Sequence, residues 1–183
     1  MREPARLQAA IEILDGVIAG AIAGGAAADT LAQRYFAQRR YAGSKDRAAV
    51  RELVFQAVRF AGERPESGRA LMLGLAHHQR PDLLPLFDGS PHGPAPIAAG
   101  EPQTAPSPYP AWLAPRLEAR FGNRLAAEAA ALIARAPLDL RVNPARADPA
   151  RIAAELGAQP IAGLPNGLRL DPPVALERHP LML

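Results

Sequence analysis

Arg47, Arg51 and Arg59 fall at multiples of four residues along SKDRAAVRELVFQAVRF (44–60), and Phe55 fills the remaining place in that series. Residues four apart lie on one side of a helix. Guanidinium groups so aligned pair bidentately with phosphate oxygens. An aromatic ring among them can stack on a nucleobase, although a contact with the core or a neighbouring helix is the commoner role for a lone phenylalanine. A second stripe runs beside the first: Val50, Leu53, Val54, Ala57 and Val58 recur at i, i+3, i+4, i+7 and i+8, the spacing of a buried helix face. Ser44 stands at the N-cap position, and Asp46 in the first turn suits the positive end of the helix dipole. Such a helix joins a core to an anionic partner.

The charge distribution points the same way. Arg34, Arg39, Arg40, Lys45, Arg47, Arg51 and Arg59 stand against only Asp46 and Glu52, so residues 34–59 carry +5 while the whole chain carries +3. Concentrated positive charge is the footprint of a surface that meets phosphates; a solvated face with no partner is the plainer alternative. Arginine outnumbers lysine twenty to one. An alanine- and arginine-rich coding style produces the same bias, so the distribution carries the argument and the total does not.

Other chemistries find little support. The chain has no cysteine, which excludes disulfides, thiolate nucleophiles and cysteine-ligated metals. His77, His78, His92 and His179 lack metal-ligand spacing and read as surface histidines. Ser44 with His77 makes no catalytic pair, and Asp46 with Glu52 makes no acid–base dyad. No catalytic, cofactor-binding or metal residue is expected. The uncharged run Gly16–Ala28 is too short to span a bilayer, and Glu12 and Asp15 interrupt the apolar stretch before it. A soluble cytoplasmic protein without a membrane partner is the expectation.

The elements that position these residues are mostly helical. Hydrophobic residues make up 49% of the 183 and aromatic ones only 5%, so alanine fills the core and close-packed helices are favoured. A first helix is expected over 5–19, with Leu7, Ala10, Ile11, Leu14, Val17 and Ile18 inward, followed by a small-residue turn over 20–28. Asp29 caps a second helix with Leu31 and Tyr35 inward and Arg34, Gln38 and Arg39 outward; Tyr41-Ala42-Gly43 breaks it before the arginine helix. After a polar loop over 62–66, a helix over 67–79 carries Leu71, Met72 and Leu75. Gly68 and Gly74 within it imply close approach to a neighbour.

A short helical turn over 81–87 leads into residues 91–110, where seven prolines in twenty residues predict an extended surface connector. Pro110 opens a helix with Trp112, Leu113, Leu117 and Phe121 inward, ended by Gly122-Asn123. A further helix over 124–136 presents Leu125, Ala129, Leu132 and Ile133. No strand is expected before residue 137. LDLRVN (138–143) then alternates as a half-buried strand does. Arg141 and Asn143 share one of its faces, where both could meet RNA or brace another domain; for Asn143 the plainer alternative, and the favoured one, is a bond to the turn backbone before Pro144. Asp148 and Pro149 open a short helix with Ile152 and Leu156, closed by Gly157, and extended pieces follow at 159–162 and 168–170. Strand–helix–strand–strand is the start of a small α+β unit that stops short.

Four stretches, in order, resemble the N-terminal part of RsmB/Sun-type (RsmB/NOP family) ribosomal RNA cytosine-5 methyltransferases: RLQAAIEIL (6–14), GSKDRAAVRELVFQAVR (43–59), PYPAWLAPRLEARFG (108–122) and, most specifically, APLDLRVNPARADPARIAAELG (136–157). The resemblance implies a mainly α protein. An all-helical, NusB-like RNA-binding domain would cover 1–135, with a proline-rich connector at about 88–110. A truncated α+β, RNA-recognition-like subdomain would cover 136–183 and lead into a methyltransferase domain.

In the family that further domain binds S-adenosylmethionine and supplies two cysteines. Neither a glycine-rich loop after a strand nor any cysteine is present here, so this polypeptide is expected to be inactive alone. The implied function is to position 16S ribosomal RNA for a catalytic domain that is missing or separate. Arg39, Arg40, Lys45, Arg47, Arg51 and Arg141 are the candidate RNA-binding residues. The alternatives are a free-standing NusB-like antitermination or ribosome-assembly module, and a truncated product without a role of its own.

Overall fold

In the computed structural model, residues 1–171 together with Leu176 and Pro180 are described; His179 lies outside them. The protein is mainly α, a helical bundle followed by a short α+β segment. It divides into two compact units, Met1–Ile133 and Ala134–Leu183.

Helix α1 (Glu3–Ala23) is the axis of the first unit; α2 (Ala28–Ala37), α3 (Ser44–Phe60) and α4 (Gly68–His78) all pack on it. Its inward side buries Leu7, Ala10, Ile11 and Leu14, which meet Val50, Val54 and Ala57 of α3 and Met72, Leu73 and Leu75 of α4 in one core. Alanine tolerates a helix well, so α1 continues past residue 19 to Ala23 and stops at Gly24, whose φ of 64° is the left-handed geometry of a C-terminal glycine. Helix α2 is turned by one residue from expectation. Ala32 and Phe36 are buried, while Leu31 and Tyr35 lie at the margin, because the Tyr35 hydroxyl reaches outward to donate to Glu12 at 2.7 Å. Helix α3 has the expected span, with Gly43 rather than Ser44 as its cap. Val58 is 40% exposed, and the buried stripe passes from Ala57 to Phe60 instead.

Both glycines of α4 sit at backbone contacts. A Cβ on Gly68 would strike the Ile11 carbonyl oxygen of α1, and one on Gly74 would strike the Thr104 carbonyl oxygen. Ser67 caps α4 by accepting the Ala70 N–H at 3.0 Å. The proline-rich stretch therefore differs from a loose surface connector. It has no regular structure, yet Thr104 N–H donates to the Ala70 carbonyl and Ser107 N–H to the Phe60 carbonyl, each at 3.0 Å. Pro94 is fully buried, and Glu101 pairs with Arg69 of α4. Prolines fix φ without needing donors, which lets the stretch lie as a packed strap and use its few N–H groups against α4.

The strap leads through a 3₁₀ turn, Ala111–Leu113, into α5 (Ala114–Phe121) and α6 (Leu125–Ile133). Trp112 is 70% exposed, contrary to the core position expected for it. Its spacing groups it with exposed Arg116 and Arg120, not with half-buried Leu113, Leu117 and Phe121. Leu132 is likewise outward, while Ala129 is buried and Leu125 and Ile133 are half-buried.

In the second unit, β1 (Leu138–Arg141), β2 (Gln159–Pro160) and β3 (Gly167–Leu170) form an antiparallel sheet in the order β1-β3-β2, with Leu138 opposite Leu170 and Arg141 opposite Gly167. Helix α7 (Pro149–Leu156) is capped by Asp148, which accepts the Ala150 and Arg151 N–H groups, and it ends at left-handed Gly157. Val142, Ile152 and Leu168 form a core with half-buried Leu140 and Leu156 around it.

Candidate nucleic-acid interface

The basic segment is organised by an acid. Asp46, in the first turn of α3, accepts the Gly43 N–H at 3.2 Å, the Met1 ammonium at 2.9 Å and the Arg6 Nε at 2.9 Å. These donors, the ammonium first and Arg6 second, hold its carboxyl at about 2, below the ordinary 3.8. Asp46 thus fastens the start of α1 to the start of α3. Its charge is used inside the fold rather than against the surface cations.

The six candidate residues separate into four settings. Arg39 is folded back: its guanidinium lies 3.7 Å over the Tyr35 ring and 3.4 Å from the Glu12 carboxylate. Arg47 braces the α2–α3 turn, its Nε donating to the Ala42 carbonyl at 2.8 Å and its guanidinium 5.9 Å from the Phe36 ring. Arg40, Lys45 and Arg51 are exposed and have no ion pair or hydrogen bond among the described residues. Arg51 follows Arg47 on one flank of α3. Lys45 is six residues from Arg51 and so stands about 120° away around the helix. Arg141 belongs to the other unit, exposed on β1 beside a cavity of about 360 Å³ lined by Asp139, Ile161, Leu164 and Asn166 among others.

The neighbouring candidates fall on the structural side. Arg59 pairs with Glu52 at 3.7 Å, and Phe55 is half-buried. Asn143 Oδ1 accepts the Ala145 N–H at 3.1 Å, closing the turn after β1 as its type and place suggest. Among the described residues no cluster of three potential ligands could hold a metal ion, and no helix is long and apolar enough to cross a membrane.

A cleft of about 860 Å³ escaped the sequence reasoning. Arg2, Gln8 and Glu12 of the α1 end, Tyr35, Arg39 and Tyr41 around the end of α2, and His92 of the strap line it. Burial and the hydrogen bond to Glu12 push the Tyr35 phenol well above its ordinary value, so Tyr35 serves as a neutral donor. Tyr41 had signalled only a helix break. The available signal was an aromatic residue directly after two arginines, at a break where no core face calls for it.

The fold is that of a helical module carrying Arg40, Lys45 and Arg51 exposed and unpaired among the described residues, followed in the chain by a small α+β unit. Residues 109–177 match the family model described as Methyltr_RsmF/B-like, ferredoxin-like domain. This supports the RsmB/Sun-type resemblance for that stretch. The matched stretch begins before α5 and straddles the division between the two compact units. No curated protein and no solved structure matches the chain.

Proposed function

We propose that this chain is an RNA-binding portion of a ribosomal RNA cytosine-5 methyltransferase and that it positions RNA for chemistry performed elsewhere. The family-model match over 109–177 carries the reading. The unpaired cations at the α2–α3 junction give it a physical basis, since each phosphate neutralised releases condensed counterions.

The cofactor chemistry of the family does not fit these residues. The 183 residues include no cysteine to attack the base. The turn after β1 runs Asn143-Pro144 into an aspartate-capped helix instead of a glycine-rich phosphate loop. S-adenosylmethionine binding and methyl transfer are therefore assigned to a separate or further methyltransferase domain. A NusB-like character for the helical unit and a cytoplasmic setting are parts of the same proposal.

The assignment of phosphate contacts is revised by the geometry. Arg40 and Arg51 are the better test than Arg47, whose loss would also loosen the α2–α3 turn. Binding of a structured ribosomal RNA fragment should weaken steeply with salt, and Arg40→Ala with Arg51→Ala should flatten the log–log slope by about two. RNA binding indifferent to salt, or absent, would overturn the reading.

A further inference from the structure

We infer that the cleft between the start of α1, the end of α2 and the 88–93 turn is a subsite for one unpaired nucleotide of single-stranded RNA, with its base stacked on Tyr41. The inference rests on the RNA-binding reading and adds a site that the phosphate contacts do not require. Four observations carry it.

First, the size and lining suit a nucleotide. A cavity of about 860 Å³ lies within the range of ordinary small-molecule sites. It combines aromatic rings with cations, the pairing used to hold single strands.

Second, Tyr41 is presented rather than packed. It is 73% exposed, yet its backbone is fixed on both sides. Ala42 N–H donates to the Arg39 carbonyl at 3.1 Å, and the Ala42 carbonyl accepts Arg47 Nε. An exposed ring on an immobilised turn offers a stacking face at little ordering cost.

Third, Glu12, the one carboxylate lining the cleft among the described residues, is already committed. Its Oε2 accepts from the Tyr35 hydroxyl and Arg39, and its Oε1 accepts from Gln8 at 3.1 Å. Arg2, exposed and unpaired among the described residues, adds a cation at the rim. Gln8 keeps one amide N–H and its carbonyl oxygen uncommitted, a donor–acceptor pair that matches a base edge.

Fourth, the part of the wall that the strap supplies is held in an unusual shape. His92 has φ of 68°, the only non-glycine residue in left-handed geometry among those described. It is clamped by Gly93 N–H to the Ser90 carbonyl, Ser90 N–H to the Asp88 carboxylate and Gly89 N–H to the carbonyl of buried Pro94. Strain retained in a well-tied loop is a mark of a working surface.

The test uses the whole chain and a short single-stranded RNA carrying one fluorescent adenine analogue, titrated over a salt series. Stacking should quench the fluorophore. Tyr41→Ala should weaken binding about 10-fold and abolish the quenching with the salt slope unchanged, whereas Tyr41→Phe should retain both. Arg40→Ala with Arg51→Ala should do the reverse, flattening the slope while quenching persists at saturation. If Tyr41→Ala binds and quenches as the parent does while the arginine variant loses slope, the subsite is wrong and the RNA reading stands. If the parent binds no RNA, both fall together.

Discussion

Asp46 and Asp139 each accept hydrogen bonds from an arginine, and the difference between them is the difference between the two units. The Asp46 side chain is 12% exposed and gathers three donors, two of which, Arg6 and the Met1 ammonium, lie 40 and 45 positions away. Asp139 is 42% exposed and, among the described residues, holds Arg169 alone, through two bonds of 2.8 Å across neighbouring strands. The helical unit is fixed by contacts between elements distant in sequence. The α+β unit is held by paired strands, one short helix and, among the described residues, five buried apolar side chains, of which Val142, Ile152 and Leu168 form one cluster. Shared chemistry in different surroundings does different work, and exposed pairs contribute little.

The largest effect expected is at a backbone contact of the helical unit. Gly74→Val places atoms where the Thr104 carbonyl lies. It should lower stability by about 3 kcal/mol in chemical denaturation, because neither α4 nor the strap can yield without losing its hydrogen bonds. A loss under half that size would show the strap to be pliable and remove the contrast drawn above. Next is Leu168→Ala in the second unit, which removes the most deeply buried member of the Val142–Ile152–Leu168 cluster. A cost of about 2–3 kcal/mol should separate an early unfolding transition of the α+β unit from a helical signal that persists. A single transition would mean that the two units unfold together.

The smallest effect, and the sharpest comparison, comes from the two aspartates. The Asp46 carboxyl is held at about 2 against an ordinary 3.8. Its contribution is therefore complete above about pH 4 and disappears as pH falls through about 2. Asp46→Asn should melt below the parent at neutral pH, and the gap should close across that interval. Asp139 is also lowered, by Arg169, but Asp139→Asn should shift the melting temperature less at every pH. Equal shifts would erase the distinction.

Legibility in the sequence follows the same division between local and distant causes. The α3 span and the Asp148-Pro149 start and Gly157 end of α7 were readable because each signal lies within a few residues of its effect. The close approach at Gly68 and Gly74 was readable as a need, though not its partners, since the Ile11 and Thr104 carbonyls are far along the chain. The phase of α2 was missed because the reach of Tyr35 to Glu12 outweighs its apolar ring. Trp112 was misplaced by weighting residue type over spacing with Arg116 and Arg120. The basic segment itself was visible as composition. Which of its cations are free was not, because that depends on Glu12, Ala42 and Phe36 being folded against them. The cleft beside Tyr41 is built from three separate stretches, and no single window contains it.

The strap over α4 has a consequence for hydrogen exchange. Seven prolines leave residues 91–110 few amide protons, and a stretch without helix or strand is ordinarily the first to exchange them. Here the Thr104 and Ser107 protons are donated to carbonyls of α4 and α3. They should exchange at rates set by opening of the bundle rather than by local fluctuation. Two slow amides in an apparently irregular segment would therefore report on the stability of the whole helical unit.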